Sequence, residues 1–227
     1  NPDMMVRTIG RVDMYKLANF LKIVANKTEN AKKLKVTSPS GTEIEFENHP
    51  ERTLGVRTGE VIEGLPTMLP GQISWAPKFK TINGTIVFDG SLVPPIGLLD
   101  NPIELTIQKG KIVNINGGKE AQQFEKWLAS FDDEQMFRLA HMAYGFNPGA
   151  KLTGNIVEDE RIWGGTEWGI GNVGSMHLDE REGGIDAASH SDGICMNSSV
   201  WLDGKQLLDK GKIVNFPELE RLEQELL

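Results

Sequence analysis

Ile103-Glu-Leu-Thr-Ile-Gln-Lys-Gly-Lys-Ile-Val-Asn-Ile115 is the stretch whose pattern decides the fold class. Ile103, Leu105 and Ile107 alternate with polar residues, Lys109-Gly110 supplies turn chemistry, and Ile112, Val113 and Ile115 continue an apolar segment beyond it. A period of two on both sides of a glycine-containing turn predicts a β-hairpin. The string Lys-Gly-Lys-Ile-Val-Asn returns at 210–215, and a helical segment follows each copy. Repeat architectures want three or more units, so the echo is read as shared hairpin chemistry rather than duplication.

Working outward, Leu34, Val36, Ile44 and Phe46 alternate around Ser38-Pro-Ser-Gly41, a further hairpin. Residues 81–90 predict a strand interrupted by turn chemistry, and Val200 to Val214 a last hairpin. Helices are expected in four places. One runs from an Asp13 N-cap, with Leu17, Phe20, Leu21 and Val24 at helical spacing, to about Lys32. A second covers 118–129. A third starts from an Asp132/Gln135 capping box and runs to about Ala140. The last begins near Pro217. Val56 to Leu69 is ambiguous between extended and turn structure. From Ala140 to Gly174 the chain reads as glycine-rich strands and loops. The expectation is a strand-rich α+β fold, a mostly antiparallel sheet with hairpins and flanking helices, in one domain over 1–227.

Composition excludes several functional classes. With 227 residues, 39% hydrophobic and 25% charged, the chain has an ordinary globular balance. A net charge of −8 argues against nucleic acid or an anionic membrane as a partner. No apolar run approaches the length a membrane helix needs. The single cysteine, Cys195, fits a reducing compartment, so a cytoplasmic location is expected. The start Asn1-Pro2-Asp3-Met4 resembles neither a signal sequence nor an initiator and suggests an excised fragment.

The chemistry concentrates in 137–204. His190-Ser-Asp192 puts an imidazole and a carboxylate on one face if the segment is extended. With a second histidine from elsewhere, that pair would form the two-histidine, one-carboxylate set of non-haem Fe(II) oxygenases. His177-Leu-Asp179 has the same spacing but lies among Glu180, Arg181 and Glu182, the setting of a solvated loop. His190-Ser-Asp192 is followed by an apolar strand that would exclude water, and is the better ligand pair. His141, between a helical stretch and an Asn-Pro turn, is open to two readings, a rigidly held ligand or a satisfied half-buried histidine. Glu158-Asp-Glu160-Arg161 is read as a solvated charged surface. Trp163-Gly-Gly-Thr-Glu167-Trp-Gly-Ile-Gly171 has the wrong glycine spacing for a nucleotide loop. Glu167 could be a ligand, an outer acceptor or a general base. No nucleophile elbow, H-E-x-x-H or paired cysteine occurs.

These pieces together resemble the thermophilic aminopeptidase T family and its relative, 2,5-dihydroxypyridine 5,6-dioxygenase. The landmarks are Leu139-Ala-His141, Gly145-Phe-Asn-Pro-Gly149, Glu158-Asp-Glu160, Gly164-Gly-Thr-Glu-Trp-Gly-Ile-Gly171, His190-Ser-Asp192 and Val200-Trp-Leu-Asp-Gly204. Val36-Thr-Ser-Pro-Ser-Gly-Thr42 and Leu69-Pro-Gly-Gln-Ile-Ser-Trp-Ala-Pro77 extend the likeness upstream. The resemblance implies the metal-binding C-terminal part of such proteins, without their N-terminal α/β domain, and a homo-oligomer acting on a small molecule. It also implies that a separate piece of this length binds metal weakly and turns over slowly.

Within the resemblance, the aminopeptidases' two-metal ligands are replaced. A glutamate falls on Gln72, another falls on His141, and a histidine falls on Glu167. His141, His190 and Asp192 instead match the dioxygenase's iron ligands in type and order. The expected cofactor is therefore Fe(II) bound by His141, His190 and Asp192, with Glu167 and His177 as candidate acid–base groups. The expected reaction is cleavage of a hydroxylated aromatic or heteroaromatic ring. The alternatives are a zinc or cobalt aminopeptidase of the two-metal type and a non-catalytic oligomerisation or binding domain.

Overall fold

The computed structural model describes residues 1–52, 54–61, 63, 69–173 and 184–227. Two mostly antiparallel sheets carry the strand-rich α+β fold. The first holds β1 (Lys33–Thr37), β2 (Glu43–Glu47), β5 (Asn83–Phe88), β8 (Ile103–Gln108), β9 (Lys111–Gly117), β13 (Ser199–Leu202), β14 (Lys205–Asp209) and β15 (Lys212–Ile213). Its order is β15-β14-β13-β1-β2-β5-β8-β9. The second holds β3 (Gly55–Arg57), β4 (Gln72–Trp75), β6 (Ser91–Val93), β7 (Gly97–Leu98), β10 (Leu139–Gly145), β11 (Thr166–Gly171) and β12 (His190–Cys195), ordered β3-β4-β10-β11-β12-β6-β7. Among the described residues five α-helices flank them: α1 (Pro2–Met5), α2 (Met14–Glu29), α3 (Lys119–Ala129), α4 (Ile156–Asp159) and α5 (Pro217–Leu226). Among the described residues no helix is long and apolar enough to cross a membrane.

The two hairpins with matching turns form as their local chemistry predicts. Lys109 and Gly110 have φ of 51° and 73°, and Lys210 and Gly211 have 48° and 84°. Positive φ at both central residues gives a turn whose twist matches the flanking strands, with Gln108 opposite Lys111 and Asp209 opposite Lys212. The Asp13 side chain accepts from the Lys16 amide at 3.1 Å and starts α2, which ends at Glu29 rather than at Lys32.

The expected helix over 132–140 does not form. Asp133, not Asp132, caps a single 3-10 turn over Glu134–Phe137, and β10 begins at Leu139. Pairing on both sides decides this: β10 bonds to β4 and β11, and burial of every one of its residues erases the polar alternation that marks a strand. His141 therefore sits inside a central strand, not after a helix.

Strand alternation divides β10, β11 and β12 into two faces. Met142, Tyr144, Trp168 and Ile170 point at the first sheet and share its core with Leu34, Val36, Ile44 and Phe46. Phe46 meets Trp168 edge-to-face at 5.6 Å between ring centres, which ties the sheets together. The opposite face receives His141, Glu167, Gly169, His190 and Asp192.

Candidate metal centre

Register brings the site together. On the face away from the core, His141 lies opposite Gly169, Gly169 opposite Asp192, and Gly171 opposite His190. A row across three strands thus unites residues 49 positions apart in the chain. Gly169 makes the row possible, because a Cβ there would run into the His141 ring. No positive φ demands this glycine, so the need is for space alone.

His141 Nε2 lies 3.1 Å from His190 Nε2 and 3.3 Å from Asp192 Oδ1, and His190 Nε2 lies 2.9 Å from the same oxygen. Ligands held about 2.1 Å from one ion at right angles stand about 3 Å apart, so the three atoms have the spacing of a facial set. They are the one metal-capable group of three or more such side chains among the described residues. His190 Nδ1 is 2.6 Å from the Asn172 carbonyl, to which it donates, leaving Nε2 with its lone pair turned inward. His141 Nδ1 faces Glu167 Oε1 at 3.5 Å, so a Nδ1–H tautomer is favoured there too. Lone pairs and a carboxylate oxygen then converge on one point, an arrangement that calls for a cation. The donor set fits a divalent ion of the iron or zinc type.

Exposure differs among the three side chains. The side chains of His141 and Asp192 are 10% and 15% exposed, whereas that of His190 is 32% exposed. His190 is thus the member of the set that meets solvent most.

Electrostatics agree with a site short of positive charge. Burial drives the Glu167 carboxyl up to about 8, helped by the neighbouring Asp192 charge. Burial also opposes ionisation of Asp192, yet the bonds that His141 and His190 make to it when their Nε2 atoms carry hydrogen in place of a cation outweigh it and hold that carboxyl below its ordinary range. His141 is pushed down by burial but raised overall by the two carboxylates beside it.

Behind the row lies a polar network. Gln72 Nε2 donates to Glu167 Oε2 and to Glu160 Oε2, each at 2.7 Å. Glu160 pairs with Arg161, whose Nε donates to the Leu69 carbonyl at 3.0 Å. The acidic run expected to be solvated is in fact buried: Glu158, Asp159 and Arg161 are at most 4% exposed. Its charges are matched locally, Glu158 by Arg7 at 2.7 Å and Asp159 by the Thr153 and Gly154 amides.

Of the sequence candidates, His141, His190 and Asp192 converge, and Glu167 stands against His141. His177 lies outside the described residues. Sequence reasoning missed Gly169, whose signal is a glycine opposite a histidine once strand register is known. It also missed Glu160 and the Asn172 carbonyl, for which no local signal exists.

A strand-rich α+β fold with two imidazoles and a carboxylate meeting on a central sheet face defines a candidate mononuclear metal-site protein. A family model, NicX, 2,5-dihydroxypyridine 5,6-dioxygenase, matches residues 1–215, and the chain belongs to that family. It is similar to 2,5-dihydroxypyridine 5,6-dioxygenase of Pseudomonas putida, 31% identical over 85 residues, which cover 37% of this chain and 24% of that protein. The solved 2,5-dihydroxypyridine dioxygenase from Pseudomonas putida superposes with a TM-score of 0.79 at 20% identity, over 97% of this chain and 65% of that one. Wild-type AmpT from Thermus thermophilus superposes with a TM-score of 0.70 at 15% identity, over 88% and 55%. The chain thus spans about two thirds or less of the length of these relatives, and the likeness to the solved structures is one of fold.

Proposed function

We propose that this chain holds one divalent iron ion through His141, His190 and Asp192 and serves an oxygenase that opens a dihydroxylated nitrogen heterocycle. The observation that carries the reading is the approach of His141 Nε2, His190 Nε2 and Asp192 Oδ1 to within 3.3 Å of one another. Family membership supplies the reaction class. When bound, iron(II) would offer its open positions to the ring hydroxyl and to dioxygen and carry electron density between them.

The chain's own groups would do the rest. His190 fixes its inward lone pair through the Asn172 carbonyl. Gly169 leaves room for the His141 ring to lie flat on the sheet. Glu167, whose carboxyl burial pushes up to about 8 without an ion, would be ionised once a cation lies beside it, and its Oε1 faces His141 Nδ1 at 3.5 Å. We infer a role for it in holding His141, and in proton supply only if substrate reaches it; His177 remains a second acid–base candidate from sequence.

A single ion is favoured over two by Gln72. Its amide occupies the gap between Glu160 and Glu167, where a second cation would need a negative ligand rather than a hydrogen donor. The test is metal analysis and oxygen uptake. Protein loaded anaerobically with excess iron should hold one iron per chain and consume dioxygen, slowly for a separate piece of this length, with 2,5-dihydroxypyridine. Two tightly held zinc or cobalt ions with peptide hydrolysis would overturn the reading.

A further inference from the structure

Resting on the metal reading above, we propose that Gln72 is a positioning residue that sets the tautomer and aim of His141 through Glu167.

Gln72 lies on β4, opposite Gly145 of β10, and is 6% exposed. Glu167 lies on β11, opposite Ala143. The two side chains therefore meet over the same face of the sheet that carries the metal candidates. Gln72 Nε2 sits 2.7 Å from one oxygen of each of two carboxylates. Carboxylates accept and do not donate, so the amide must present its NH2 to them and spend one hydrogen on each. Reversing the amide would set its carbonyl against two acceptors. The group is thus held in one orientation by its partners.

Each end of this bridge is anchored. Glu160 pairs with Arg161, and Arg161 is tied to the backbone by Nε at Leu69 and by Nη1 at Val157, both at 3.0 Å. The path Arg161–Glu160–Gln72–Glu167 is continuous from fixed backbone, and Glu167 Oε1 then faces the imidazole Nδ1 across 3.5 Å. Its effect on Glu167 is specific: Oε2 is pinned by Gln72, which leaves Oε1 facing His141 Nδ1 at 3.5 Å. A carboxylate oxygen at Nδ1 favours the hydrogen there, and the Nε2 lone pair is left for the centre. Gly169 on the other side of the ring admits the imidazole but makes no polar contact to steer it. Removing the Gln72 donors would leave a 1% exposed Glu167 without its bond, free to turn away from His141.

The test uses Gln72→Met, which keeps length and apolar volume but removes both donors, and Glu167→Gln, which keeps size and removes the charge. Cobalt(II) affinity would be measured by chelator competition, with the visible cobalt spectrum recorded alongside. Nitrogen-15 spectra of labelled histidine in the metal-free protein report the His141 tautomer, a readout that simple loss of packing leaves unmoved. Both variants are expected to bind cobalt about 10- to 100-fold more weakly, the usual effect of losing a partner behind a metal ligand. Both should shift the cobalt bands and give a mixed His141 tautomer. If Gln72→Met fails to fold, Gln72→Asn, which keeps the amide but falls one methylene short of both carboxylates, takes its place. Parent affinity, spectrum and tautomer in the folded variants would overturn the role of Gln72 while His190→Ala still abolishes binding. Parent affinity in His190→Ala would overturn the metal reading itself.

Discussion

The His141 and His190 rings stack at 18° with their centres 5.0 Å apart, although 49 residues separate them in the chain. Their Nε2 atoms point the same way, to a spot shared with Asp192 Oδ1. Two neutral imidazoles bring lone pair against lone pair in this arrangement, which a protein sustains where a cation or a proton lies between them.

Replacing a member of the set should therefore act on metal first. His190→Ala and Asp192→Asn are expected to lower cobalt or iron affinity by at least about 100-fold, from one ion per chain to none at micromolar metal. Elemental analysis after gel filtration checks this. Metal-free thermal unfolding should change far less than the holoprotein's, because binding energy is stability only while the ion is bound.

Gly169→Ala tests the space under His141. The added methyl collides with the ring, so about 1–3 kcal/mol of stability should be lost, together with metal affinity. Urea unfolding of Gly169→Ala, His141→Ala and the double variant provides the check. The two losses should be non-additive, since removing the ring makes room for the methyl.

Gln72→Glu places a third carboxylate against Glu160 and Glu167. Metal-free protein should lose stability from the crowded charge, and bound divalent ion should rise above one per chain at millimolar zinc or cobalt. Calorimetric titration reads both the number of ions and their affinity. A variant that stays at one ion and melts like the parent would show that the Gln72 gap takes no cation.

Asp203 offers a test of acid stability away from the site. Its carboxylate accepts from the Lys33 amide at 2.7 Å and from the Lys32 amide at 3.0 Å, tying the β13–β14 turn to the start of β1. The Lys33 and then the Lys32 bond hold its carboxyl below the ordinary 3.8. A depressed acid stabilises the fold above the unfolded value and loses that contribution as pH falls through the folded one. Asp203→Asn should cost about 1 kcal/mol at neutral pH. The gap between variant and parent should close below pH 3.8 in denaturant titrations.

Much of the fold was legible in sequence where the determinants are local. Lys109-Gly110 and Lys210-Gly211 specify their turns because two consecutive positive φ angles suit few residues. Asp13 and Pro217 mark the starts of α2 and α5 by satisfying, or lacking, the amides that a first turn leaves unbonded. The start of β10 was placed in a helix, and its extent left open among strands and loops, because both its faces are buried and no period of two survives in Leu139-Ala-His-Met-Ala-Tyr-Gly145. The run Glu158 to Arg161 was taken for solvated surface because charge alone does not reveal a buried partner such as Arg7.

The sequence by itself determined the candidate ligand types, the shared face of His190 and Asp192 and, through the family likeness, the choice of His141 as the third candidate. Those are matters of residue identity, spacing and strand alternation, which a linear chain carries. Tertiary structure alone decided that His141 meets Asp192 across Gly169, that the Asn172 carbonyl bonds the His190 ring while Glu167 stands against the His141 ring, and that Gln72 bridges two carboxylates 88 and 95 residues away. Such contacts depend on strand order and register, which follow from burying the opposite face of the sheet against the first one.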